Sequence, residues 1–100
     1  MHPSSKRFHT FLKELGKLHD QKQLDYGSDV DPFFNIRAGA QDWGLSPWVA
    51  AMVRATDKVK RIQSYAKNKK LANEGVEDSF RDLAIYAIIA LVLWEEEIMQ

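Results

Sequence analysis

Apolar residues recur along this chain at steps of three and four rather than two, a spacing that predicts helices throughout. Phe8, Phe11, Leu12, Leu15 and Leu18 mark a first helix over about residues 5–25, and Gly27 stands where a left-handed closing residue belongs. In "SDVDPFFN", Asp31 suits a capping position and Pro32 the first helical one, so a short helix is expected over about 32–43, closed by Gly44. The device recurs in "GLSPWVAAM": Ser46 caps and Pro47 leads a helix over about 47–67, whose apolar side reads as Ala50, Val53, Ile62 and Tyr65. The polar stretch "KNKKLANEG" makes the next break, with Asn73 as a cap, and a last helix covers about 75–99. No segment alternates with period two, and no Asn-Gly or Asp-Gly hairpin signal occurs. The expected fold is all-α: a small helical bundle of three long helices plus one short one, forming a single domain over residues 1–100.

The last helix changes that picture in one respect. It is apolar nearly all round through "LAIYAIIALVLW" at 83–94, so it is either central or buries a face against another subunit. A 100-residue monomer encloses such a helix with difficulty, which predicts completion of the bundle by a homo-oligomer, in the simplest case a dimer. The run is shorter than the roughly twenty residues a bilayer requires. "MHPSSKRFHTF" has no apolar run behind its basic residues and does not read as a secretion signal. A soluble, cytoplasmic protein without a membrane partner is expected.

Charge and cysteine content narrow the chemistry. Fourteen cationic and fourteen acidic residues give a formal charge of zero, which argues against a general nucleic-acid coat protein. "KRIQSYAKNKK" is a short basic patch and only weak evidence for DNA binding. With no cysteine, disulfides and thiolate metal sites are excluded. His2, His9 and His19 share no ligand pattern, and there is no glycine-rich phosphate loop or Gly-x-Ser-x-Gly elbow.

Three polar clusters remain. In "RATDKVKRI", Arg54, Asp57, Lys58 and Arg61 share one helix face, which reads either as a solvated stripe or as a wall of a phosphate pocket. In "KQLDYG", Lys22 meets Asp25 and Tyr26 at a helix end, where a lysine also serves the terminal carbonyls. In "NEGVEDSFRDLAIYA", Asp78, Asp82 and Tyr86 stand one turn apart, with Glu74 a turn earlier. The helix dipole accounts for Glu74, Glu77 and Asp78 but not for Asp82, which lies directly before the apolar run. There an unpaired carboxylate is costly, so Asp82 requires water, a metal, or a cation such as Arg54, Lys58 or Arg61 of the preceding helix. Asp57, Asp78 and Asp82 beside those cations suit Mg²⁺ and phosphate, and equally suit an ion-pair network that only fixes helix register.

The motifs "QKQLDYG…DPFFN…RATDKVKRI…NEGVEDSFRDLAIYA" resemble the small helical phage proteins grouped as a nucleotide-modification-associated domain, with the likeness extending from about Gln21 to Ala87. Residue by residue, the resemblance selects Lys22, Tyr26, Gly27, Asp57, Lys58, Arg61, Glu77, Asp78, Asp82 and Tyr86, and it implies a nucleotide-related role in a phage-infected bacterium. More remotely the chain is similar to MazG-like nucleoside triphosphate pyrophosphohydrolases, which hold Mg²⁺ on Glu-x-x-Glu and Glu-x-x-Asp helices. It departs from them where Arg54 precedes Asp57 by three and where Asp78 and Asp82 are four apart.

Two functional expectations follow from the resemblance. The first is a nucleotide-binding protein, extending to Mg²⁺-dependent hydrolysis of a (deoxy)nucleoside triphosphate. Asp57, Asp78 and Asp82 then act as catalytic metal ligands, Lys22, Arg54, Lys58 and Arg61 face the phosphates, and Tyr26 or Tyr86 borders the base. The second is a non-catalytic protein that sequesters a host cyclic or signalling nucleotide and needs no metal. An interaction module without a small ligand, suggested by the apolar last helix with Trp43 and Trp48, is the third reading.

Overall fold

The computed structural model describes residues 1–26, 31–70 and 75–100, with the side chains of residues 23–26 outside that description. Among the described residues there are four helices and no strand: α1 (Pro3–Tyr26), α2 (Phe34–Trp43), α3 (Pro47–Asn68) and α4 (Val76–Ile98). They fall into two compact units, Met1–Pro32 and Phe33–Gln100.

The first unit is α1. It starts before the expected Ser5, because His2 caps it. The backbone oxygen of His2 accepts the Ser5 and Lys6 N–H groups, and its Nδ1 accepts the Ser4 N–H at 3.0 Å. Pro3, which has no N–H to satisfy, takes the first helical position. Arg7 lies over the Phe11 ring at 5.1 Å. The turn read at Gly27 lies outside the described residues.

A turn precedes α2. Pro32 and Phe33 form it, and the Arg37 N–H bonds to the Phe33 carbonyl, so α2 starts at Phe34, two residues later than the sequence reading. Asp31 therefore stands two residues before the capping position, which Phe33 takes. The other end follows expectation: Gly44 takes a left-handed conformation (φ 67°). Its N–H bonds to Gln41, and the Leu45 N–H reaches back to Ala40 at 2.9 Å, the paired closure that ties off the last carbonyls of a helix. Pro47 opens α3, and the Ser46 carbonyl accepts from Val49 and Ala50, although the Ser46 hydroxyl makes no capping bond. Lys69 closes α3 in the left-handed region (φ 61°), where its N–H reaches the Tyr65 carbonyl. The cap read at Asn73 lies outside the described residues.

The core is a contiguous cluster of Ile36 from α2, Ala51 from α3, and Ile89, Ala90 and Leu93 from α4, with Phe33, Trp48, Ala50, Ile85 and Tyr86 packed against it. Three cross-links show that α3 and α4 run antiparallel. Trp48 meets Glu97, Ala51 shares a cluster with Ala90 and Leu93, and Lys58 meets Asp82, so one number falls as the other rises. The inner line of α3 is Ala51, Ala55, Lys58, Ile62 and Tyr65; of the expected apolar side, Ala50, Ile62 and Tyr65 are half-buried but Val53 is exposed. The two fully buried alanine side chains let the helix backbones approach closely, which a valine in the line would obstruct. Among the described residues no helix is long and apolar enough to cross a membrane.

Candidate functional site

The most informative polar contact in the second unit lies between α3 and α4. Lys58 Nζ is 3.1 Å from Asp82 Oδ2, and the two side chains retain only 19% and 24% of their exposure. Both belong to the inner lines of their helices. Lys58 follows Ala55 by three residues, and Asp82 follows the fully buried Ser79 by three, so the pair is a charged rung within the seam. Asp82 thus finds the cation that its place beside the apolar run demands, and among the three candidates its described partner is Lys58. An ammonium carries three N–H donors, so Lys58 keeps donors beyond the one directed at Asp82.

Arg54 and Arg61 stand four before and three after Lys58 on the same face of α3, and both are exposed. Arg61 is engaged in an interaction of its own. Together they extend the half-buried ammonium into a cationic band along the outer lip of the seam. Tyr65, half-buried, stands one turn beyond Arg61.

The carboxylates behave differently from the reading of a metal-binding triad. Asp78 is exposed, and its described partner is Arg81 on its own helix, at 3.9 Å. Asp57 is exposed on α3, one position outside the inner line that Lys58 occupies. Asp82 is held by Lys58. Among the described residues no three His, Asp or Glu side chains converge closely enough to hold a metal ion. Asp78 lies in the exposed first turn of α4, whereas Asp82 lies one turn further along, where Lys58 meets it. The donor set does not fit a Mg²⁺ ion held on Asp57, Asp78 and Asp82.

The remaining expected site residues are distributed as follows. Tyr86 packs against the core cluster, so its ring is committed to the fold. Glu77 is exposed in the first turn of α4, where a negative charge favours the helix dipole. Lys22 is exposed on α1, in the first unit. The side chain of Tyr26, together with Gly27 and Glu74, lies outside the described residues.

Two contacts at the other end of α4 have no counterpart in the sequence reading. Arg37 Nη2 of α2 bonds to Glu96 Oε2 at 2.8 Å, and the Trp48 indole Nε1 donates to Glu97 Oε2 at 3.0 Å. Trp48 is therefore half-buried and hydrogen-bonded, while Trp43 stays 82% exposed. The run of three glutamates at 95–97 was the available signal, since it opposes the dipole at a helix C-terminus and has to be justified by partners elsewhere.

The sequence model of a family described as Nucleotide modification associated domain 1 matches residues 39–93, a span that begins within α2 and contains the whole Lys58–Asp82 seam. No curated protein and no solved structure matches the chain significantly.

Proposed function

Since the chain belongs to the Nucleotide modification associated domain 1 family, we propose that it binds a nucleotide through the cationic seam between α3 and α4, without a protein-held metal. The observation that carries this reading is the half-buried Lys58–Asp82 pair flanked along α3 by Arg54 and Arg61. Asp82 fixes the position of the Lys58 ammonium and leaves it N–H groups for phosphate oxygens. Arg54 and Arg61 add planar donor forks suited to the same oxygens. Partial burial of Lys58 strengthens its contact relative to that of a fully solvated lysine. Three cations supply the charge balance that a divalent ion would otherwise provide.

The chemistry favours capture over turnover, because the three expected carboxylate ligands do not converge and one of them is neutralised by a lysine. Sequestration of a signalling nucleotide is accordingly the more specific form of this proposal, and pyrophosphate hydrolysis is not part of it.

Isothermal titration calorimetry with nucleoside mono-, di- and triphosphates and cyclic dinucleotides, with and without EDTA, tests the proposal. Affinity is expected to fall with added salt and to be indifferent to the chelator. Arg54→Ala and Arg61→Ala each weaken binding by about tenfold or more, the value of a charge-assisted hydrogen bond. Absence of binding at millimolar ligand overturns the proposal, as does affinity unchanged in the double variant. Binding that EDTA abolishes, or release of pyrophosphate, restores the metal-dependent alternative.

A further inference from the structure

The face of α4 turned away from the core has its own order. Phe80, Ala84, Ala87, Leu91, Trp94 and Ile98 follow one another at alternating steps of four and three, the spacing of a coiled-coil seam. Phe80, Leu91, Trp94 and Ile98 are exposed, as is Ile88 beside them, although the opposite face of the same helix already supplies Ile89, Ala90 and Leu93 to the core. Their uncovered parts amount to about 500 Å² of apolar surface, at the upper end of what a monomer ordinarily leaves bare.

We infer that this face pairs with the same face of a second copy of the chain, the two α4 helices running antiparallel about a twofold axis near Ile89. This inference is independent of the nucleotide reading. Side-chain size supports the orientation. In the antiparallel register Phe80 faces Ile98, Ala84 faces Trp94 and Ala87 faces Leu91, so each large side chain meets a small one or an aliphatic partner. A parallel pair would set alanine against alanine and tryptophan against tryptophan, leaving gaps beside bulges.

Charge supports the same orientation. Beside the stripe, Arg81 stands near one end and Glu95 near the other. The antiparallel register brings Arg81 of each copy beside Glu95 of the other, whereas a parallel pair would crowd residues 95–97 of both copies, six glutamates, at one end. The area buried by two such faces, about 1,000 Å², lies at the lower limit for a specific interface, which fits a dimer in the micromolar range rather than an obligate one.

Sedimentation equilibrium of the full chain between about 1 and 100 µM, spanning that range, tests the pairing. The wild type is expected to form dimers, and Leu91→Glu to raise the dissociation constant by about a hundredfold or more, since the twofold axis counts each change twice. Its helical circular dichroism stays unchanged, because Leu91 is exposed within one copy. Arg81→Glu and Glu95→Arg each weaken the dimer by about tenfold, and the double swap restores it. Should Leu91→Glu fail to fold, the charge-swap set decides the matter. A wild type that stays monomeric throughout overturns the inference, including the case in which another segment of the same chain covers the stripe. So does a dimer indifferent to Leu91→Glu, and failure of the double swap to restore association overturns the antiparallel orientation.

Discussion

Replacing Lys58 by methionine isolates what the charged rung between α3 and α4 contributes. At 3.1 Å, two unit charges attract by about 5 kcal/mol at an effective dielectric near 20. Desolvation of two side chains that keep only 19% and 24% of their exposure offsets most of that. The net worth of the pair is about 1–2 kcal/mol, between the values of surface and fully buried pairs. Lys58→Met costs more than this, about 2–3 kcal/mol, because it strands the Asp82 carboxylate in the seam. Asp82→Leu costs a similar amount for the mirror reason. In a domain of this size each single change lowers Tm by about 10–20 °C. The double variant Lys58→Met/Asp82→Leu, which refills the rung with apolar side chains, recovers to within about 1 kcal/mol of the wild type. It should nevertheless bind no nucleotide, because the ammonium is gone. Urea titrations of the four proteins give the double-mutant cycle. Single effects that simply add, with a coupling below about 0.5 kcal/mol, would refute the energetic argument; a stable double variant with intact nucleotide affinity would refute the binding one.

Further predictions concern the helix ends and the glutamate contacts. Gly44→Ala is expected to destabilise by about 1 kcal/mol in urea titration; a Cβ there meets nothing within 4 Å, so the whole cost is the left-handed backbone. Lys69→Gly, at the other left-handed helix end, should leave stability unchanged or raise it by up to about 1 kcal/mol, and a loss would show that the lysine side chain contributes something there. Arg37→Ala removes a half-exposed ion pair and should cost about 0.5–1 kcal/mol. Trp48→Phe, which deletes the indole donor to Glu97 while keeping an aromatic ring, should cost about 1 kcal/mol by the same measurement.

What could be read from the sequence alone was set by how locally each feature is encoded. Helical periodicity and the Gly44 and Pro47 punctuation act over one or two turns, so the helices emerge within a residue or two of their observed bounds. α2 starts later than the Asp31-Pro32 pattern predicts because the chain uses Pro32 and Phe33 as a turn before Phe34. The burial of Ala51 and Ala55 in place of Val53 does not show in the pattern because Val53 outweighs both on any hydrophobicity scale, whereas close helix contact rewards the smaller side chains. Asp82 was legible as a residue that required a partner, since its position before an apolar run makes the cost of leaving it alone plain; its pairing with Lys58 needed the register of two helices. Among the described residues Asp57, Asp78 and Asp82 make no group that could hold a metal ion, and one-turn spacing on a single helix does not say which members a neighbouring helix will enclose. Arg37 with Glu96 and Trp48 with Glu97 join residues far apart in the chain, and no periodic pattern announces such partners.

The two alanines at 51 and 55 have a consequence for everything that lies beyond them. Both side chains are buried, Ala51 in one cluster with Ala90 and Leu93 of α4 and Ala55 one turn before Lys58, so neither place has room for a larger group. Both stand within two turns of the charged rung, so the packing there and the placing of the Lys58 ammonium are linked. Any bulkier side chain at either position would tilt one rod against the other and pull the ammonium out of reach of its carboxylate. On the nucleotide-binding proposal, ligand preference is then adjustable through this packing as well as through the cations along the seam.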